Sequence, residues 1–252
     1  MVRHEDRGPV RVLTMEHGKV NALDIELLRD LIAALDAAAG APVRALVLTG
    51  AGSSFSAGVD LWRVLDGGPA YIEVFLPALA QCLEKLFTFP RPVVAAVNGH
   101  AIAGGCILAC ACDRRLMAAG RGRVGTPELH VGVPFPALAL EIVRAATSDR
   151  MGAELALTGV TFLAEEALQR GLVDALLPPE SLLAGACEVA ASLAVIPAPA
   201  FALSKRQLRQ PALERCARLA PDFEREVLAA WCTPATASTI RDYLNRTLSK
   251  GR

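Results

Sequence analysis

Residues 92–112, PVVAAVNGHAIAGGCILACAC, carry no side chain that is charged at neutral pH, apart from the titratable ring of His100. Twenty-one such residues are long enough to cross a bilayer. Asn98-Gly99 interrupts them with a turn signal, and His100 follows at once. The run therefore divides into a buried strand, a turn and a buried helix that opens at Gly104, and it predicts no membrane span. A strand and a helix that are both apolar on every side must each be covered by other elements. That requirement points to a layered α/β core.

The neighbouring segments supply the layers. VRVLTME (Val10 to Glu16) alternates as a strand, and VRALVLTG (Val43 to Gly50) reads as a second buried strand. Between them, Asn21 to Ala38 places Leu23, Leu27, Leu28, Leu31, Ile32 and Leu35 at helical spacing. GAGSSFSAGVD (Gly50 to Asp60) reads as a loop, and a helix is expected over about Ala70 to Phe87. DRRLMAA (Asp113 to Ala119) is a further strand, and LVDALLP (Leu172 to Pro178) is the last. Beyond about residue 180 the pattern is helical, with breaks expected at Ile196 to Ala200, Pro211, Pro221 and Pro234. The expected division is a core over residues 1–195 and a helical region over 196–252.

Charge and cysteine usage narrow the function classes. Equal numbers of acidic and basic residues give a formal net charge of zero, and no basic–aromatic stripe is present, so no nucleic-acid partner is expected. The seven cysteines form an odd set, with Cys106, Cys110 and Cys112 inside the apolar run. They read as reduced, small hydrophobes in a cytoplasmic protein. Their spacing lacks a paired CxxC or a histidine partner, so no metal site is expected. The first residues, MVRHEDRGPV, show no secretory signal.

Two glycine-bearing loops follow buried strands: LVLTGAGSSFSAGVDL (Leu46 to Leu61) and VVAAVNGHAIAGGCILA (Val93 to Ala109). Glycine at such strand ends lets a ligand approach main-chain N–H groups, and at a helix start those groups are unpaired. One donor from each loop would make an oxyanion hole; two tight turns are the plain alternative. The first loop lacks the GK[ST] of a P-loop, the GxGxxG order of a dinucleotide site and the GxSxG of a hydrolase.

The segments NALD, LVLTGAGSSFSAGVDL, RPVVAAVNGHAIAGGCILACACD and VGTPELHVGVPFP, in this order, resemble the signatures of the crotonase superfamily of enoyl-CoA hydratases and isomerases. With the helical tail, the resemblance covers nearly the whole chain. It implies a spiral of strand–strand–helix turns with C-terminal helices used in trimerisation, as a homotrimer or a dimer of trimers. It implies an acyl-CoA thioester as substrate, with no cofactor beyond the coenzyme A that the substrate carries. It implies the backbone N–H groups of Ala57 and Gly104 as oxyanion donors. Lys205 or Arg206 would meet the coenzyme A phosphates, a solvated face being the alternative for both.

Hydratases of that superfamily carry a glutamate three residues after the second donor and another in a later PE pair. Here these positions are Ile107 and Pro127-Glu128, so one acid is kept and the other is apolar. Addition of water to a double bond suits two carboxylates that hold the water between them. Migration of a double bond from the 3,4 to the 2,3 position needs only one base. The pattern therefore resembles Δ3,Δ2-enoyl-CoA isomerases, with Glu128 as the proton shuttle and Ile107, Trp62 and Pro127 around the acyl group. Packing is the alternative role for Trp62 and Trp231, and loop ordering for Asp60. Dienoyl-CoA isomerases would carry a further acid eight residues beyond Glu128, where this chain has Pro136. A hydratase using Glu128 alone, and a non-catalytic acyl-CoA-binding protein, remain open at this point.

Overall fold

The computed structural model describes residues 1–249. In chain order the elements are β1 (Val2–Arg7), β2 (Val10–Met15), α1 (Ile25–Gly40), β3 (Ala45–Gly50), β4 (Ser54–Ser56), α2 (Leu61–Phe87), β5 (Val93–Val97), β6 (His100–Ile102) and α3 (Gly104–Ala111). Then come β7 (Arg114–Ala118), β8 (Arg123–Gly125), a 3-10 turn (Glu128–Val131), α4 (Ala137–Ala146), α5 (Asp149–Thr158), β9 (Thr161–Leu163), α6 (Ala164–Gln169) and β10 (Ala175–Leu177). The chain ends in α7 (Leu182–Ala194), α8 (Ala198–Trp231) and α9 (Pro234–Ser249).

The apolar runs become strands covered on both faces. One sheet has the order β1-β2-β3-β5-β7-β10, parallel except for the β1–β2 hairpin. Side chains alternate across it. Leu46, Leu48, Val93, Ala95 and Val97 enter the main core, while Ala45, Val47, Val94 and Ala96 face Ala186, Ala190 and Ala194 of α7. The small alanines let α7 lie close on the sheet.

A second, short sheet has the order β4-β6-β8-β9. Strands β3, β5 and β7 are each followed by one of its members, β4, β6 or β8, and then by α2, α3 or the 3-10 turn. The result is the expected spiral of strand–strand–helix units. Three-residue strands are too short to show an alternating pattern, so the second sheet is not visible in the sequence.

Two expectations need correction. The helix expected over about Ala70 to Phe87 begins at Leu61 and is broken at Gly68, whose φ of 56° and ψ of −152° are open to glycine only. The expected helix is its second segment. The breaks expected at Pro211 and Pro221 do not occur, because α8 runs through both as a 34-residue helix. Buried Ala212, Val227 and Trp231 anchor it along the core, and α8 lies against α4. Tertiary packing outweighs the lost N–H of each proline. The breaks at residues 196–200 and at Pro234 lie at the α7–α8 and α8–α9 junctions. Among the described residues no single helix is long and apolar enough to cross a membrane; α7 and α8 reach that length and composition only as a pair bent by 103°.

Candidate active site

The site begins where β6 turns into α3. Ala103, the residue before the helix, has φ 53° and ψ −124°, a conformation that costs a non-glycine residue about 1–3 kcal/mol. Its N–H donates to the Gly125 carbonyl at 2.8 Å, which holds the turn in place. The next N–H, that of Gly104, opens the helix and has no acceptor among the described residues. Both glycines permit close packing. A Cβ on Gly105 would lie 2.3 Å from the Ser56 carbonyl oxygen, and one on Gly104 would lie 2.7 Å from Leu23 Cδ1. A side chain at Gly105 would push the helix start away from the first loop, and one at Gly104 would displace the Leu23 side chain.

The first loop is tied down by the NALD segment. Asn21 donates its side-chain amide to the carbonyls of Ala51 and Ser54, at 3.1 and 2.9 Å. Ser56 Oγ donates to the Asn21 carbonyl at 2.7 Å. Asp24 caps α1 by accepting from the Leu27 N–H. Asn98 joins the two loops, accepting from the Gly50 N–H and donating to the Gly52 carbonyl.

This framework corrects the expected first oxyanion donor. The Ala57 N–H donates to the Val20 carbonyl at 2.9 Å, so it is held in main-chain pairing and is not open to a ligand. Gly58 N–H is taken by Ser56 Oγ at 3.2 Å. Leu23 then pairs with Val59 as a single parallel bridge, through Leu23 N–H to the Gly58 carbonyl and Asp60 N–H to the Leu23 carbonyl. Successive N–H groups of extended backbone point to opposite sides. With Asp60 N–H turned toward Leu23, Val59 N–H faces the other way, and it has no acceptor among the described residues. Gly58, at φ 83°, brings this segment against α3: its Cβ would fall 3.2 Å from the Gly104 nitrogen. The open pair is therefore Val59 and Gly104. No residue type marks a main-chain donor, because every residue but proline carries one, and the sequence offered nothing to separate position 59 from position 57.

A cavity of about 80 Å³ opens beside these donors. Val59, Gly104, Ile107, Pro127 and Glu128 all line it, so the structure brings together Gly104, Ile107, Pro127 and Glu128 as the motifs imply. Glu128 starts the 3-10 turn, which closes through His130 N–H to the Pro127 carbonyl and ends at Gly132 in the left-handed region. Glu128 is 7% exposed, and neither carboxylate oxygen has a partner among the described residues. Loss of water around it pushes its pKa up to about 8. Ile107 is 3% exposed, one turn into α3. Glu128 is the only carboxylate among the lining residues.

Trp62, Lys205 and Arg206, also expected at the site, lie elsewhere. Trp62 is 46% exposed near the start of α2 and does not line the cavity, which corrects its expected place around the acyl group. The reason is local: Asp60 caps α2 by accepting from the Trp62 and Arg63 N–H groups, and the indole faces outward from that first turn. Lys205 is 6% exposed and locked inside the protein. It donates to Asp113 at 2.7 Å and to the Arg91 carbonyl at 3.2 Å, and Arg209 donates to the same carboxylate at 2.7 Å. Lys205 is therefore a partner of Asp113, and together with Arg206 and Arg209 it lines a surface cavity of about 400 Å³. Arg206, next to it, is exposed. His100 Nδ1 accepts from the Arg123 N–H, and His130 bonds the Thr158 carbonyl; neither lines the cavity. Two aromatic residues of the C-terminal helices do line it, Trp231 and Tyr243.

Residues 5–235 match the enoyl-CoA hydratase/isomerase family. Over 209 residues the chain is 31% identical to the short-chain-enoyl-CoA hydratase of Clostridium acetobutylicum, covering 82% of this chain and 80% of that one. Over 218 residues it is 29% identical to the human mitochondrial enoyl-CoA delta isomerase 1, covering 85% and 72%. The crystal structure of human mitochondrial delta3-delta2-enoyl-CoA isomerase superimposes with a TM-score of 0.93 at 26% identity, covering 99% of this chain and 98% of that one. A crotonase spiral, and a family match over nearly its full length, place the chain in the enoyl-CoA hydratase/isomerase family.

Proposed function

We propose that the chain is a Δ3,Δ2-enoyl-CoA isomerase. The observation that carries this reading is a single buried carboxylate, Glu128, in a cavity whose other lining is almost wholly apolar. The thioester oxygen sits between the Val59 and Gly104 N–H groups. Glu128 takes a proton from C2, negative charge spreads onto that oxygen as a dienolate forms, and the proton returns at C4. The C3–C4 double bond becomes a C2–C3 double bond, and nothing is added or lost. A carboxyl with a pKa near 8 accepts and gives back a proton at similar cost, which suits a two-way shuttle. Each oxyanion donor contributes about 3–4 kcal/mol in the transition state. The reaction needs no cofactor beyond the coenzyme A of the substrate.

A hydratase is the second reading, favoured by the hydratase names among the relatives. Against it stands Ile107, which leaves Glu128 without a second carboxylate to hold water. Turnover of 3-enoyl- and 2-enoyl-CoA thioesters by one preparation separates the two. Isomerisation without hydration supports the proposal, and rapid hydration of 2-enoyl-CoA defeats it.

We further propose a homotrimer or dimer of trimers. Leu203, Leu208 and Phe223 of α8 are exposed on the single chain, and an apolar groove of about 350 Å³ runs past Phe223, Leu129 and Leu157. Such surface is normally covered in an assembly. Sedimentation equilibrium at several concentrations tests it, and a monomer throughout would reject it.

A further inference from the structure

The segment HGKVNALD, residues 17–24, lies along the loop that carries the Val59 donor. It doubles back at Gly18 and Asn21, whose φ angles of 57° and 50° lie in a region open to glycine and tolerated by asparagine. The turn closes on itself. Asn21 N–H donates to the His17 carbonyl at 3.0 Å, and the Asn21 side-chain oxygen accepts from the His17 N–H at 2.9 Å. Leu23, near its far end, is bonded on either side of Val59: its N–H donates to the Gly58 carbonyl at 2.7 Å, and its carbonyl accepts from the Asp60 N–H at 2.9 Å. The direction of the Val59 N–H therefore follows from where Leu23 is held. The next residue, Asp24, holds it. This buried carboxylate accepts from the Leu27 N–H through Oδ1 at 2.8 Å, and its Oδ2 lies 2.6 Å from His17 Nε2. A carboxylate only accepts, so Nε2 carries the proton of that bond. Among the described residues no other side chain bonds Asp24.

Resting on the acyl-CoA reading above, we infer that His17 is a positioning residue for the Val59 oxyanion donor. His17 does not line the cavity; it acts through its ring on Asp24, through Leu23 beside Asp24 in the chain, and through the Leu23–Val59 bridge. A charge-assisted bond of this kind is about twice as strong as a neutral one. It fixes the two ends of segment 17–24 against each other. Without it the Asp24 carboxylate keeps only its cap on α1, and its second oxygen must turn toward water. Leu23 moves with it. A donor aimed at one oxygen position loses most of its effect when displaced by about 1 Å. The Gly104 N–H stays in place, because the Ala103 turn before it is tied to Gly125 and not to this segment. Loss of His17 thus weakens one donor of the pair.

The test is isotope-edited infrared spectroscopy of bound butanoyl-CoA labelled at the thioester carbonyl, a saturated ligand that binds without reacting. N–H donors on that oxygen lower its C=O stretching frequency below that of the free thioester. In folded His17→Ala the band returns part of the way to the free value. Kd changes by less than about threefold, and kcat falls about 10- to 10²-fold at nearly constant KM. His17→Gln, whose amide still donates to Asp24, restores most of the band shift and of kcat. Should His17→Ala not fold, His17→Leu, which fills the space without a donor, gives the same readout. An unmoved band in the folded alanine or leucine variant overturns the inference, and so does a glutamine variant no better than they are. A wild type that shifts the band but isomerises no 3-enoyl-CoA defeats the isomerase proposal, and the bands of the variants still decide this one. A wild type that binds butanoyl-CoA with no shift, or does not bind it, defeats the acyl-CoA reading and this inference with it.

Discussion

Gly58 and Gly104 pack backbone against backbone: a Cβ on Gly104 would lie 3.8 Å from Gly58 Cα, and one on Gly58 would lie 3.2 Å from the Gly104 nitrogen. The two strand-end loops therefore meet with no side chain between them. That contact sets the distance between the Val59 and Gly104 N–H groups.

Gly58→Ala tests the contact. The new methyl would lie 2.6 Å from the Ile102 carbonyl oxygen and 2.8 Å from Ala103 Cβ, and φ at this position is 83°. The loops must separate, and the paired donors separate with them. Loss of one donor lowers kcat by about 10²- to 10³-fold. Steady-state kinetics on protein of verified melting temperature reads this, and near-normal turnover would show that the loops do not set the donor spacing.

Glu128→Gln keeps the shape of the acid and removes its proton transfer. Turnover should fall about 10²- to 10⁴-fold while binding of a saturated acyl-CoA survives. An unchanged rate would assign the proton to another group.

The same carboxyl makes stability depend on pH in a defined direction. Its folded pKa is raised, to about 8, above the ordinary value of 4.5. Between these values the folded state holds a proton that the unfolded state has released. Stability from this group is therefore greatest below about pH 4.5 and declines as pH rises to about 8, by an amount on the order of a few kcal/mol. Glu128→Gln lacks this decline. Urea denaturation at pH 5.5 and 8 should show wild type losing ground relative to the variant; parallel behaviour would mean that the carboxyl titrates normally. For the same reason kcat/KM should rise with pH up to about 8, as the free enzyme gains its base.

Ile107→Glu places a second acid in the cavity beside Glu128. Two carboxylates can hold a water, so measurable hydration of a 2-enoyl-CoA should appear and isomerisation should decline. The buried acid lowers stability, so a melting curve comes first. A folded variant with no hydration would mean that Ile107 only fills space.

Lys205→Met separates a structural lysine from a phosphate-binding one. Asp113 would keep Arg209 and the Val93 N–H as partners. Stability should fall by up to about 3 kcal/mol, the low end for breaking a buried ion pair. Affinity for acyl-CoA should not change. A stable variant with weakened binding would return Lys205 to the coenzyme A site.

Much of this arrangement is written in local sequence. The continuous apolar runs at residues 45–50 and 93–97 demand strands covered on both faces, because no water-facing side chain interrupts them. Asn98-Gly99 divides the long apolar stretch, and Gly104 opens its helix as expected. The absence of an acid at position 107 and its presence at 128 are plain in the sequence. Other features depend on partners distant in the chain. The fate of each loop N–H was decided by where Val20 and Leu23 lie, so Ala57 is paired and Val59 is open. Lys205 within SKRQLR read as a phosphate contact or a solvated side chain, and neither reading foresaw its pairing with Asp113, 92 residues earlier. Prolines 211 and 221 failed to break α8 because burial against the core outweighs two missing N–H groups. Residue types and short-range periodicity determine which segments must be buried. Hydrogen-bond partners, burial of charge and the make-up of the cavity wall are long-range properties, and only the packed chain decides them.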